Sequence, residues 1–359
     1  MKIGVPKEIK DQEFRVGLSP DSVKVLIGHG HQIYIESGAG NGSSFSDSDY
    51  QASGAIILDN AQEIWQQDMV VKVKEPLIAE YPYLKAGGLL FTYLHLAANR
   101  ELTGKLIESG ITAYAYESVE LADGRLPLLT PMSIIAGRLA VQFGARYLEK
   151  QQGGRGVLLS GIPGVASGQV VILGAGVVGT ESARIALGMG ARVTVLDINP
   201  ERLSYLENIF GSQIELILSN SAQIEAIVPQ SDLLIGAVLL PNRKAPTLVS
   251  RDLVKQMKDG SVIVDVAIDQ GGCVETLRAT SHSAPTYIEE GVVHYGVPNM
   301  PGAVPWTATQ ALNNSTLPYV LKLAQNNTED PSLIKGLNVR DHQLVHTVLK
   351  EIFADLVKS

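Results

Sequence analysis

Gly174-Ala175-Gly176-Val177-Val178-Gly179 is the densest chemical signal in this sequence. It follows the apolar run 170–173 and opens a helical pattern over 180–186. In that context the first glycine permits a tight turn, the second lets backbone approach a pyrophosphate, and the third lets helix pack on strand. A diphosphate there meets unpaired N–H groups and the positive end of a helix dipole. Asp197 closes the next apolar run, roughly 20 residues further on, where a carboxylate accepts hydrogen bonds from ribose hydroxyls. A phosphate on that ribose would face a like charge, so the pattern predicts NAD rather than NADP. Arg202 complicates this: one helical turn past Asp197, it could stack on adenine or neutralise a phosphate.

Four more polar residues stand where apolar runs end. Arg15, in Glu13-Phe14-Arg15-Val16-Gly17-Leu18-Ser19-Pro20, has apolar neighbours and could grip a carboxylate through two hydrogen bonds. It could equally pair with Glu8 or Glu13. Lys74 ends the run 70–73 just ahead of Glu75-Pro76, which suits either ligand contact or a solvated strand end. His95 follows Phe91-Thr92-Tyr93-Leu94, placing an imidazole among apolar residues, as a group titrating near neutrality or as a hydrogen-bonded core histidine. Asp269 ends the run 262–268 ahead of Gln270-Gly271-Gly272, as an acid/base group on the nicotinamide side or as a turn cap. A cation for a carboxylate, acid/base groups and a nicotinamide beside Cα are what amino-acid oxidation requires.

Two sets of elements must position these residues. Runs at 170–173, 192–196, 214–217, 233–237 and 262–266 are apolar throughout, as strands covered on both faces should be, with helical patterns between them. One such helix is expected from the Ser250 N-cap to Gly260. Runs at 3–5, 31–35, 69–73, 89–92 and 112–116 form a second set, and Ser19-Pro20-Asp21 opens a helix closed by Gly28 to Gly30. A helix over 131–151 is long enough to join two domains, and 308–359 reads as helical, its amphipathic end packing back on the first domain. The expected fold is α/β, with two Rossmann-like domains, each a mainly parallel sheet flanked by helices. The cofactor domain, 131–307, is inserted into a discontinuous substrate domain, 1–130 plus 308–359.

Composition narrows the classes. The 359 residues exceed what one core usually serves. Net charge is -8 with the basic residues scattered, which excludes a nucleic-acid footprint. Cys273 is alone, so no intrachain disulfide forms. The charged start lacks a signal-peptide core, and the longest apolar runs, such as 233–240, fall far short of the ~18 residues a bilayer span needs. A cytoplasmic protein with no membrane partner is expected.

Taken together, these residues resemble the alanine dehydrogenase and transhydrogenase alpha-subunit family over nearly the whole chain. The resembling segments are Met1-Lys2-Ile3-Gly4-Val5-Pro6-Lys7-Glu8, the Glu13 to Pro20 motif, Val71-Lys72-Val73-Lys74-Glu75-Pro76 and Thr92-Tyr93-Leu94-His95-Leu96-Ala97. In the second half they are residues 173–179 with Asp197, 264–272 and 297–305. The resemblance implies interconversion of L-alanine with pyruvate and ammonia, with Arg15 and Lys74 on the substrate carboxylate and His95 and Asp269 in acid/base roles. It places cofactor contacts on Ser133, Val177, Val178, Asp197, Arg202, Ser219, Val238, Leu239, Val266, Ala267, Ile268, Asp269, Arg278, Val297, Pro298, Asn299 and Met300, besides the three glycines. It also implies a homohexamer. Some members carry a divalent metal at a C-terminal histidine, but Asn326 and Asn327 stand near that place here, so no metal is expected. Two rivals are an NAD-binding module of a membrane transhydrogenase and a saccharopine- or opine-type dehydrogenase.

Overall fold

The computed structural model describes residues 1–238 and 245–356, without the side chains of 269 and 270. Its strands, in chain order, are β1 (Lys2–Val5), β2 (Gln32–Glu36), β3 (Ile56–Leu58), β4 (Met69–Val71), β5 (Leu89–Thr92), β6 (Thr112–Ala115), β7 (Gln169–Leu173), β8 (Arg192–Asp197), β9 (Glu215–Leu218), β10 (Leu233–Gly236), β11 (Val262–Asp265), β12 (Thr286–Glu289), β13 (Val292–Tyr295), β14 (Leu337–Arg340) and β15 (Gln343–Leu344). They divide between two compact units, Met1–Met132 with Gly302–Ser359, and Ser133–Pro301.

The first unit holds an eight-stranded sheet ordered β15-β14-β6-β5-β4-β1-β2-β3, the second a seven-stranded sheet ordered β12-β13-β11-β10-β7-β8-β9. In the first, β1 to β6 are parallel, and antiparallel β14 and β15 extend the β6 edge. In the second, only β12 runs against its neighbour. Both sheets therefore follow the doubly wound order, with switch points between β1 and β4 and between β7 and β10, where ligands of such sheets bind beyond the strands' carboxyl ends. The α/β class with two mainly parallel, helix-flanked sheets stands as read from the sequence.

Parallel strands at the centre of each sheet, such as β4, β5, β10 and β11, are buried on both faces, which is why their sequences do not alternate, while β3 and β9 at the edges stay partly exposed. Val171, Leu173, Leu234 and Ile263 centre one core; Val70, Leu90, Leu102 and Leu106 centre the other, joined there by Leu349 and Phe353 near the C-terminus.

Several expectations are corrected. The segment after 308 is not all helix, because β14 and β15 form a hairpin through Asp341 and His342, both at positive φ. Such two-residue turns usually announce themselves with Asn-Gly or Asp-Gly, and Asp-His does not. The β12–β13 hairpin, turning at Glu290 and Gly291, also escaped the sequence, as did the three-residue β3. The helix capped by Ser250 spans only Arg251–Val254; beyond it the bonds tighten to i→i−3, which carries Met257 into the core. Two strands stop earlier than expected: β4 at Val71, leaving Lys72 and Val73 to the loop, and β6 at Ala115, since Tyr116–Ser118 turns as a 3-10 segment.

Candidate active site

Glu8 and Arg15 follow β1, Lys74 follows β4, His95 follows β5 and Glu117 follows β6, so the parallel pairing gathers all five at one sheet edge. Gly17 lets the β1 loop close on β4, since a Cβ there would lie 2.4 Å from the Val71 carbonyl oxygen. Ser19 caps the helix Pro20–Gly28, and its N–H donates to Asn313 Oδ1 at 2.8 Å, fixing the far end of the loop.

Arg15 is 2% exposed. Its Nε and Nη2 donate to the two Glu13 carboxylate oxygens at 2.7 and 2.6 Å, and Nη1 lies 3.1 Å from Met132 Sδ. Of the pairings the sequence left open, the structure thus shows the one with Glu13. Burial opposes the Arg15 charge, but the charge and hydrogen bonds of Glu13 outweigh it and hold the group above its ordinary pKa.

Lys74 is 8% exposed, and no hydrogen bond or ion pair among the described residues ends on its ammonium. Burial, and next the Arg15 guanidinium, push its pKa below the ordinary lysine value. The ammonium lies 6.0 Å from the Tyr93 ring centroid. A buried cation beside an arginine, with no ion pair among the described residues, is a standing attraction for an anion.

His95 is exposed, not a core histidine. Its backbone is left-handed, φ 49°, which is uncommon for a residue with a side chain. The Glu117 carboxylate holds that turn, accepting the His95 N–H at 2.6 Å and the Leu94 N–H at 3.2 Å. The imidazole stacks on Tyr93, centroids 5.8 Å apart and planes 7° from parallel. Tyr93 itself is buried, and its hydroxyl donates to the Leu128 carbonyl at 2.6 Å. Lys74 and His95 therefore share one aromatic platform. Sequence reasoning missed Tyr93, Glu8 and Glu117 as working parts, since their partners lie on other strands.

In the second unit the glycine-rich turn leads from β7 into the helix Val177–Gly188. Gly174 has φ 107°, and a Cβ on it would lie 2.6 Å from the Ala237 oxygen. At Gly179 a Cβ would fall 1.8 Å from the Gly174 oxygen, whereas at Gly176 it would meet nothing within 4 Å. The first intrahelical donor is Thr180 N–H, so those of Val177, Val178 and Gly179 are left for an outside acceptor. Open space before unpaired donors fits a dinucleotide's diphosphate. Ser133 lies one turn ahead of Gly137, where the helix Thr130–Tyr147 crosses close to Val178.

The Asp197 carboxylate, at the end of β8, accepts the N–H groups of Ala175 and Asn199 at 2.6 and 2.8 Å. Arg202 donates to the Ala175 carbonyl at 3.0 and 2.6 Å and stacks on Tyr205. Ser219 follows β9, Val238 follows β10, and Val266, Ala267 and Ile268 form the 3-10 turn Val266–Gln270 after β11. Val297, Pro298, Asn299 and Met300 follow β13. Arg278 stacks on Tyr287 and packs its carbonyl against Gly296, at the same edge. All these positions line the carboxyl side of one sheet. Leu239 and the side chain of Asp269 lie outside the described residues.

Two doubly wound sheets, one opening on a glycine-rich dinucleotide turn and the other on a buried pair of cations beside a histidine, define a nicotinamide-dependent α/β dehydrogenase. Family models narrow the class. The N-terminal domain model of alanine dehydrogenase/PNT matches residues 4–136 and the C-terminal domain model matches residues 140–347, so the chain belongs to the alanine dehydrogenase/PNT family. It is 53% identical to "Alanine dehydrogenase 2" of Staphylococcus aureus (strain USA300), over 100% of this chain and 98% of that one. A solved L-alanine dehydrogenase superposes with a TM-score of 0.97 at 65% identity, covering 99% of this chain and all of that one. A transhydrogenase structure from Sinorhizobium meliloti shares the fold, with a TM-score of 0.84 at 24% identity over 97% and 99% of the two chains.

Proposed function

We propose that this chain oxidises L-alanine with NAD to pyruvate and ammonia and also runs the reverse reductive amination. The observation that carries the reading is Lys74, a buried ammonium without a described counter-ion at the strand edge that also presents Arg15 and His95. Alanine supplies the missing anion, its carboxylate, to Lys74 and Arg15. For Arg15 this means sharing the guanidinium with Glu13.

The bound nicotinamide supplies the acceptor for the hydride on Cα. The chain's own residues do the rest. The two cations orient the substrate by its carboxylate. Once Cα is oxidised to the iminium level, His95 takes a proton from the attacking water, and the carbinolamine collapses to pyruvate with release of ammonia. Asp269 is the second acid/base group of this reading. Preference for NAD over NADP is supported by Asp197 and by Arg202, whose guanidinium is already held on the Ala175 carbonyl. The family likeness further supports a homohexamer working in the cytoplasm without a metal. Among the described residues no helix is long and apolar enough to cross a membrane.

The test is NADH formation by purified protein with L-alanine, L-serine, glycine, L-lactate and saccharopine, each with NAD and with NADP. Reduction of NAD specific to L-alanine is expected. NADH binding with no substrate oxidised would instead favour a cofactor-binding module of the transhydrogenase kind.

A further inference from the structure

Beneath the candidate substrate cations lies a charge network that the reaction just described does not use. Lys72 is fully buried, its ammonium 2.6 Å from Glu80 Oε1 and 3.3 Å from Glu8 Oε2, with the Trp65 ring centroid 5.6 Å away. The other Glu8 oxygen, Oε1, faces the backbone. It accepts the Val73 N–H at 2.7 Å and the Lys74 N–H at 3.3 Å. Glu80 in turn accepts the Leu77 N–H at 2.8 Å, closing the loop beyond Glu75 and Pro76. Glu8 is 7% exposed.

This arrangement has a mechanical consequence. After β4 stops at Val71, Val73 and Lys74 have lost most of their ladder: Val73 still accepts the Tyr93 N–H through its carbonyl, and the Lys74 carbonyl accepts the Thr92 hydroxyl. Their N–H groups depend on one carboxylate from the β1 loop, the loop that continues to Arg15. Burial raises the Glu8 pKa, and the Lys72 ammonium beside the carboxylate works against that rise.

We propose that Glu8 is a positioning residue that clamps the Val73–Lys74 backbone so that the Lys74 ammonium and Arg15 present a fixed carboxylate receptor. The proposal rests on the functional reading above. It assigns the work to the Oε1 acceptor, with Lys72 serving to keep that acceptor in place.

Two variants separate the clamp from the charge. Glu8→Asp keeps a carboxylate for Lys72 but draws the acceptor back by one methylene. The combined variant Glu8→Gln with Lys72→Met, carried together with Glu80→Gln so that Lys72 leaves no buried carboxylate behind, removes the buried charges and keeps an acceptor of the original reach. For Glu8→Asp, misplacement of the ammonium by about 1 Å predicts a rise of roughly 10- to 100-fold in the KM for L-alanine, a smaller change in kcat and an NADH Kd within about twofold of the parent. In the combined variant the KM recovers to within about threefold of the parent. Hydrogen exchange at the Val73 and Lys74 amides should quicken in Glu8→Asp and not in the combined variant. That readout needs no turnover, so it decides the clamp even if the parent chain oxidises no amino acid and the functional reading falls. The reverse order, an intact Glu8→Asp and an impaired combined variant, overturns the clamp and makes the pair an electrostatic support only. Unchanged KM and unchanged amide exchange in Glu8→Asp overturn it as well.

Discussion

The glycine-rich turn permits a separation of folding from binding that few motifs offer. Gly176→Ala and Gly179→Ala add the same methyl group three residues apart. At Gly176 the backbone is at φ −69°, open to any residue, and the new Cβ meets nothing within 4 Å. The unliganded protein should therefore lose no stability and could gain about 0.4–1 kcal/mol from a stiffer unfolded chain. The same methyl would occupy the space left for the diphosphate, so NADH should bind roughly 100-fold more weakly, about 2.7 kcal/mol. At Gly179 the Cβ would stand 1.8 Å from the Gly174 carbonyl oxygen, more than 1 Å inside van der Waals contact, and the neighbour is backbone that cannot swing aside. Forcing the helix off its turn should cost at least the 1–3 kcal/mol of ordinary overpacking. At roughly 2–4 °C per kcal/mol, the melting temperature of unliganded Gly179→Ala falls by several degrees while that of Gly176→Ala does not. Thermal unfolding without cofactor and fluorescence titration with NADH measure the two terms. Equal destabilisation by both substitutions, or parental NADH affinity in Gly176→Ala, would refute the reasoning.

His95→Ala should lower kcat by ~10²- to 10⁴-fold and leave NADH affinity intact, and near-normal turnover would remove the residue from the mechanism. Lys74→Met should raise the KM for L-alanine by roughly 10- to 100-fold, the worth of one charge-assisted hydrogen bond, while melting no lower than the parent, because it deletes a buried charge with no described ion partner; a lower melting point would mean the ammonium has a structural partner. Burial holds the His294 and His346 imidazoles below their ordinary pKa of 6.5, so the folded state binds fewer protons than the unfolded one just below that pH. Stability should accordingly fall as the pH drops from 6.5 toward the lowered folded values, and denaturant midpoints across that range should show less of this slope in a His294→Asn variant.

Two arrangements explain why part of the candidate site was readable in advance. A doubly wound parallel sheet puts strand carboxyl ends on one edge, so polar residues that close apolar runs, such as Lys74, His95 and Asp197, fall there whatever their partners. The glycine turn is local, and its strand, loop and helix are contiguous in sequence. The pairings were not readable. Arg15 had both Glu8 and Glu13 open as partners, and the folded loop delivers it to Glu13 while turning Glu8 toward Lys72 and the Val73 N–H. Glu117 is 22 residues from the His95 N–H it accepts, and Glu8 is 65 from that of Val73.

The same division holds for the fold. Continuous apolar runs determined the parallel strands, since strands buried on both faces need such runs and little else. Short edge hairpins, β12–β13 and β14–β15, were decided by tertiary structure: turns at Glu290-Gly291 and Asp341-His342 carry weak local signals, and their register comes from the strands beside them. Residue types and spacing determined which chemistry this protein could perform. How Glu8 and Glu117 hold the Lys74 backbone and the His95 turn was decided only when distant loops met at a buried sheet edge, because hydrogen bonds between segments far apart in the chain leave no pattern along it.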